Sequence, residues 1–286
     1  MGFANEKHEP FAGKQDEPSL LTIADWQERF PWLSAGFSTR FGGVGGGAWD
    51  SLNCALHVGD NPEDVIANRK LLAQRASFSF DAWTCAEQVH GSDVLAVTRE
   101  LRGAGRESRE EAIASKDGLI TNEPGVMLAA FYADCVPLWF VDPDHRAVGV
   151  AHAGWRGTAA DVAGKTVEAM RLAYGSDPAR MLAAIGPSIQ ACCYEVDDAV
   201  ICRVKEAGGE EGEHFVSSRA PGRYMLDLSK LNAKLLAKAG ILPKHIEITG
   251  YCTSCRTDLF FSHRKECGKT GRMTAWIGIV SEVTAG

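Results

Sequence analysis

Four short apolar runs in the middle of the chain, residues 118–121, 126–132, 137–141 and 147–151, constrain its fold more than any other feature. Each is bounded by turn residues and reads as a strand. Because the runs are apolar almost throughout, they predict a central sheet buried on both faces. Helices must supply the cover. The strongest spans residues 158–174, with Val162, Val167, Met170 and Leu172 among its apolar positions. Another starts at Asn61-Pro62-Glu63-Asp64, with a capping side chain, Pro in the first turn and acids at the positive dipole end. It runs to about Arg75, with Val65, Ile66, Leu71 and Leu72 on its buried face. Residues 197–207 and 229–239 read as helices, the second stopped by Gly240.

Residues 24–32 form a short helix or turn ending at Pro31, and further strands are expected at 34–39, 83–89, 94–97, 181–185, 246–249, 259–262 and 273–280. Residues 42–47 are a glycine loop and 99–115 an exposed loop. The pattern predicts one α/β domain over residues 21–286, a layered sandwich with a mixed central β-sheet covered by helices. Residues 1–20 read as a polar, flexible tail, with 15–19 too polar and Pro-marked for a core.

A net charge of −7 and a pI near 5.7 argue against a general nucleic-acid or anionic-membrane binder. No apolar run approaches the ~20 residues needed to span a bilayer, and the N-terminus has no apolar signal region, so a cytoplasmic location is expected. Nine cysteines, an odd number at irregular spacing, then read as mostly reduced. Cys54, Cys85, Cys192, Cys193 and Cys202 read as small buried hydrophobes.

His90 in EQVHG, Cys135 in ADCVP and His152 in VGVAHAGWRGT each stand at an expected strand exit beside small residues. Two imidazoles and a thiolate form a three-ligand set that suits zinc and leaves a tetrahedral position open. Taken singly, each could equally be a packed or hydrogen-bonded structural residue. Arg156, just before the long helix, and Arg40, beside the glycine loop, are candidate anion binders. Arg264 and Arg272 add positive charge, while Ser51 and Asn53 offer hydrogen bonds to a polar ligand. Asp134 adjoins Cys135 and is a candidate to orient a ligand or move a proton.

Two phosphate-loop lookalikes fail. GGVGGG lacks the dinucleotide spacing, and Gly268-Lys269-Thr270 has His263 where a P-loop needs glycine. Cys252 and Cys255 form a CxxC, with His263 and Cys267 downstream. That spacing is tighter than a zinc ribbon, which favours an incidental pair over a closed zinc site or a redox couple.

The segments STRFGG, SLNCALHVGDNPEDVIANR, EQVHG, DGLIT, ADCVP, VGVAHAGWRGT, IGPSI with CYEV, and CT…FFSHR…TGRM resemble, in order from about residue 34 to 280, the YfiH or laccase-domain family. The resemblance implies a layered α/β sandwich similar to cysteine-hydrolase folds, with zinc on His90, Cys135 and His152. It implies phosphorolysis of adenosine, inosine, guanosine and methylthioadenosine, with adenosine deamination as a companion activity. Purine nucleosides and inorganic phosphate are then the expected partners, with phosphate held by Arg40, Arg156 or Arg264. Two departures stand out: His263 occupies a position where tyrosine is common, and Cys255 and Cys267 are not family hallmarks. Two other activities compete. One is a Cys–His amidase acting on a cell-wall precursor, with Cys135 as nucleophile. The other is a copper polyphenol oxidase, disfavoured by eight histidines with no His-x-His pair.

Overall fold

The computed structural model of the protein describes residues 9–14, 17–209 and 214–280. Its architecture is mixed α/β, built on two six-stranded sheets packed face to face. The first sheet orders its strands β1 (Phe11–Lys14), β2 (Glu17–Ile23), β3 (Leu33–Ser38), β15 (Met273–Ile279), β7 (Met127–Tyr132) and β4 (Trp83–Cys85). The second runs β14 (Ile246–Ile248), β10 (Leu182–Ile185), β8 (Val136–Asp142), β9 (Ala147–Ala153), β6 (Gly118–Thr121) and β5 (Val94–Ala96). A small third sheet joins β11 (Glu195–Val196), β13 (Arg223–Leu226) and β12 (Val216–Ala220).

The continuous apolar runs are explained by this layering. Phe37, Leu128, Tyr132 and Ile277 of the first sheet share a core with Trp139, Val141, Val148 and Val150 of the second. The Trp139 indole N–H donates to the Trp276 carbonyl at 3.0 Å, joining the sheets across that core. On the outer face of the second sheet, Leu138, Phe140 and Ala151 pack against α4 (Val162–Tyr174) and α6 (Leu228–Lys238). On the outer face of the first, Trp276 and Met127 meet Leu72 and Ala73 of α2 (Pro62–Arg75). The order is helix, sheet, sheet, helix, and burying both faces of both sheets accounts for most of the apolar side chains.

The sheet contacts leave no slack at Gly36, between β2 and β15. A Cβ there would run into the Leu21 carbonyl and the Trp276 ring. Gly36→Ala is expected to cost about 1–3 kcal/mol by overpacking, seen as a lower urea midpoint with an unchanged slope.

Several sequence readings are corrected. The expected tail ends earlier than residue 20, because Phe11 is fully buried and β1 pairs with β2; Ser19 is buried too. Residues 1–8, 15 and 16 lie outside the described residues. The helix expected at 158–174 is two helices, α3 (Trp155–Ala159) and α4, divided at Asp161, whose positive φ breaks the helix and whose side chain caps Gly164. Leu172 is 70% exposed, since the inward face of α4 is set by Ala163, Thr166, Val167 and Met170. On α2, Ile66 and Leu71 are only half-buried. Asn68 and Arg69 take the inner face with Val65 and Leu72, donating to the carbonyls of Ser51, Asn53, Cys54 and Gly105. The strand expected at 83–89 stops at Cys85. Residues 259–262 are not a strand: the Leu259 and Phe260 amides both donate back to the Arg256 carbonyl at 2.9 Å, closing a turn that buries Phe260 and Phe261.

Candidate metal centre and its pocket

Three connections meet at one end of the paired sheets. His90 stands in the turn between β4 and β5, in the left-handed region at φ 59°. Cys135 lies in the tight connection from β7 to β8, next to Asp134 at φ 84°. His152 is the penultimate residue of β9. Their ligand atoms, two ring nitrogens and a sulfur, fall within 4.8 Å of one another. The two imidazole rings sit 4.9 Å apart, nearly perpendicular. Gly154 keeps the space open, because a Cβ there would lie 3.0 Å from the Cys135 sulfur and 3.4 Å from the His90 ring.

Asp117, the residue before β6, organises this cluster. One carboxylate oxygen accepts from the Val89 and Gly91 amides at 3.1 and 2.7 Å, and the other from His90 N–H at 3.0 Å. The second oxygen also lies 2.8 Å from His152 Nδ1. With Asp117 ionised, Nδ1 carries the proton and Nε2 presents its lone pair to the cluster. Burial opposes ionisation of Asp117, but His152 and the backbone amides outweigh it and hold the carboxyl below its ordinary range. Asp117 escapes a sequence reading, where an acid before a strand looks like a turn residue.

Without a cation, the cluster polarises itself. Burial opposes a thiolate at Cys135, yet the His152 and His90 imidazoles bring its pKa down to about 6. Burial likewise opposes an imidazolium at His152, but the Cys135 thiolate and Asp117 raise it to about 9. A cation coordinated here would replace the imidazolium proton as the thiolate's partner. The donor chemistry, the spacing, the glycine gap and the carboxylate behind His152 all fit a metal with an open position.

That open side faces a cavity of about 380 Å³, lined among others by Phe131, Trp155, Tyr194, His57, Arg264 and Arg272. The lining also includes Asp134, but both its oxygens are engaged. One accepts from the Thr253 hydroxyl at 2.6 Å; the other accepts from Ser262 at 3.1 Å and the Arg264 amide at 2.7 Å. These bonds hold the left-handed turn beside Cys135 and favour a positioning role. Arg264 lies over the Tyr194 ring at 5.4 Å. Arg40 is turned elsewhere: it donates to the Asp50 and Thr257 carbonyls and pairs with Glu266 at 3.2 Å. Asn53 is fully buried, bonding Asp60 and the Arg272 amide, so it acts behind the pocket. Arg156 is exposed and stacks on Trp155 outside the cavity lining. Of the candidate anion binders, Arg264 and Arg272 line the cavity, each with one guanidinium nitrogen donating to backbone carbonyls, of Glu195 and of Thr270 and Gly271; Arg40, Arg156 and Asn53 are not part of that lining.

Residues 34–280 match the family model described as multi-copper polyphenol oxidoreductase laccase. The chain belongs to that family. Among its laccase-domain relatives, the purine nucleoside phosphorylase YlmD of Geobacillus stearothermophilus is 45% identical over 255 residues, covering 89% of this chain and 93% of the relative. The protein of the same name from Bacillus subtilis is 40% identical over 265 residues, covering 92% and 95%. The crystal structure of the Bacillus licheniformis hypothetical protein YfiH superposes with a TM-score of 0.90 at 41% identity, covering 95% of this chain and all of that one. No helix among the described residues is long and apolar enough to cross a membrane.

Proposed function

We propose that the protein is a purine nucleoside phosphorylase working with zinc on His90, Cys135 and His152. The observation that carries this reading is the convergence of those three ligand atoms beside a cavity with aromatic walls and two arginines. The names of the relatives at 40–45% identity support it. In phosphorolysis a phosphate oxygen bonds the anomeric carbon as the bond from that carbon to the purine nitrogen breaks. Arg264 and Arg272 supply the positive charge for the phosphate, bidentate donation being the natural mode of a guanidinium. Phe131, Trp155 and Tyr194 offer apolar faces for the purine and keep water from the reacting carbon. Asp117 fixes the proton on His152 Nδ1, and Asp134 holds the backbone under Cys135. Zinc, when bound, supplies Lewis acidity at the open face. The family description names copper. Among the described residues, however, only His90 and His152 join a metal-capable group, too few imidazoles for a multi-copper centre.

The deciding assay is purine release from adenosine and inosine with and without inorganic phosphate. Phosphate-dependent release with formation of the sugar phosphate is expected. Release that ignores phosphate, or none from metal-loaded protein, would reject the reading. Ammonia from adenosine would add deamination. Arg264→Ala and Arg272→Ala are each expected to raise KM for phosphate roughly 10- to 100-fold, the loss of a charged hydrogen bond of about 1.5–3 kcal/mol. Arg40→Ala is expected to leave that KM unchanged and lower stability instead.

The thiolate–imidazolium pair keeps a Cys–His amidase in view, and thiol alkylation separates the two. In metal-free protein Cys135 should alkylate as a thiolate above pH about 6, the rate falling as pH drops through that value. With zinc bound the thiol should be protected across the same range. Equal alkylation with and without zinc would favour the amidase.

A further inference from the structure

The CxxC has different partners from those its sequence neighbourhood suggests. Cys252 and Cys255 follow β14, and the sulfurs beside them are those of Cys192 and Cys193, from the loop between β10 and β11. His263 and Cys267 are not part of the group. The reading of Cys192, Cys193 and Cys202 as buried hydrophobes is also corrected. Cys192 and Cys202 are exposed and Cys193 is half-buried, whereas Cys54 and Cys85 are buried as expected.

All four sulfurs lie within 4.8 Å of one another. Cys193 and Cys192 approach Cys255 at 3.4 and 3.6 Å. A tetrahedral ion with metal–sulfur bonds of about 2.3 Å places its sulfurs about 3.8 Å apart, whatever the protein. Neither sulfur pair is at bonding distance for a disulfide, about 2.05 Å. The backbone also prepares the group. The Gln190 amide points at the Cys252 sulfur at 3.4 Å, a donor that favours thiolate over thiol. The two loops are already laced by the Thr253 amide donating to the Ser188 carbonyl at 3.0 Å.

We propose that Cys192, Cys193, Cys252 and Cys255 form a second metal site, a closed tetrathiolate for one zinc ion. Zinc takes the place of the thiol protons, which pass to solvent, and its charge offsets the repulsion among four thiolates. The site is a clip between two pocket walls. Tyr194, next to Cys193, lines the cavity, and Thr253, next to Cys252, holds Asp134. The ion would set the position of both from behind.

The test is zinc stoichiometry on the whole chain, kept reduced, loaded with zinc, desalted and weighed intact under native conditions. The Cys192→Ser/Cys255→Ser variant changes two exposed residues and should fold. It is expected to carry one zinc fewer than wild type, while Cys135→Ala loses the other zinc and keeps this one. Cobalt in place of zinc should give thiolate-to-cobalt charge-transfer bands that survive Cys135→Ala and drop sharply in the double variant. Equal zinc in wild type and the double variant would overturn the proposal. So would a wild type lighter by two hydrogens with no metal on this group, which would make it a disulfide. Loss of zinc only from Cys135→Ala would leave the catalytic reading standing and remove this one.

Discussion

Cys135→Ser and His152→Ala are each expected to abolish purine release, by at least ~10³-fold, while the protein still melts cooperatively. The size follows from losing metal polarisation, worth several kcal/mol, at ~1.4 kcal/mol per tenfold in rate. Cys135→Ser is nearly isosteric and should leave the fold intact, whereas His152→Ala removes a buried ring bonded to Asp117 and should lower the melting temperature without abolishing folding. Metal content supplies the second readout: the ion on this cluster should be lost with the activity. Full phosphorolysis by a folded variant without that ion would disprove the role assigned to the cluster. Retained metal with lost activity would point to Cys135 acting chemically in its own right.

Asp117→Asn should have the next largest effect, and it should be double. The carboxylate accepts from three backbone amides and from the His152 ring. An amide oxygen can serve only part of that set, and its NH2 would face donors. Metal affinity is expected to fall roughly 10- to 100-fold, as when the partner behind a ligating histidine is removed. The metal-free protein should also lose about 2–3 kcal/mol, because charged hydrogen bonds to the His90 turn are lost. Zinc titration and urea unfolding measure the two separately. Unchanged zinc affinity would show that Asp117 shapes the turn without tuning the ligand.

The convergence of His90, Cys135 and His152 is legible in the sequence because each follows or ends an apolar run beside small residues, although only Cys135 and His152 lie at a strand end and β4 stops well before His90. Asp117 is not legible, since its role depends on β6 lying beside β9 and below the His90 turn. The placement of Arg40 away from the cavity is hidden for a related reason: its partner Glu266 is remote in sequence, and only folding brings the two together. The central strands announce themselves by continuous apolarity. β1 and β2 do not, because Glu17 and Pro18 sit among the apolar residues that pair them to the sheet. The thiol cluster shows the same limit. A CxxC suggests searching for ligands nearby in sequence, whereas sheet topology supplies them from the loop after β10.

β15 lies between β3 and β7 in the first sheet, although it is the last strand in chain order among the described residues. During synthesis β3 and β7 emerge long before the strand that joins them, each with an unpaired edge and an apolar face. Completion of that sheet, and with it the closing of the core beneath Cys135, must wait until Ile279 has left the ribosome. Until then the nascent chain carries two open sheet edges prone to mispairing. A stalled or truncated product ending before Met273 should therefore aggregate, even though every proposed ligand of both metal sites has already been made.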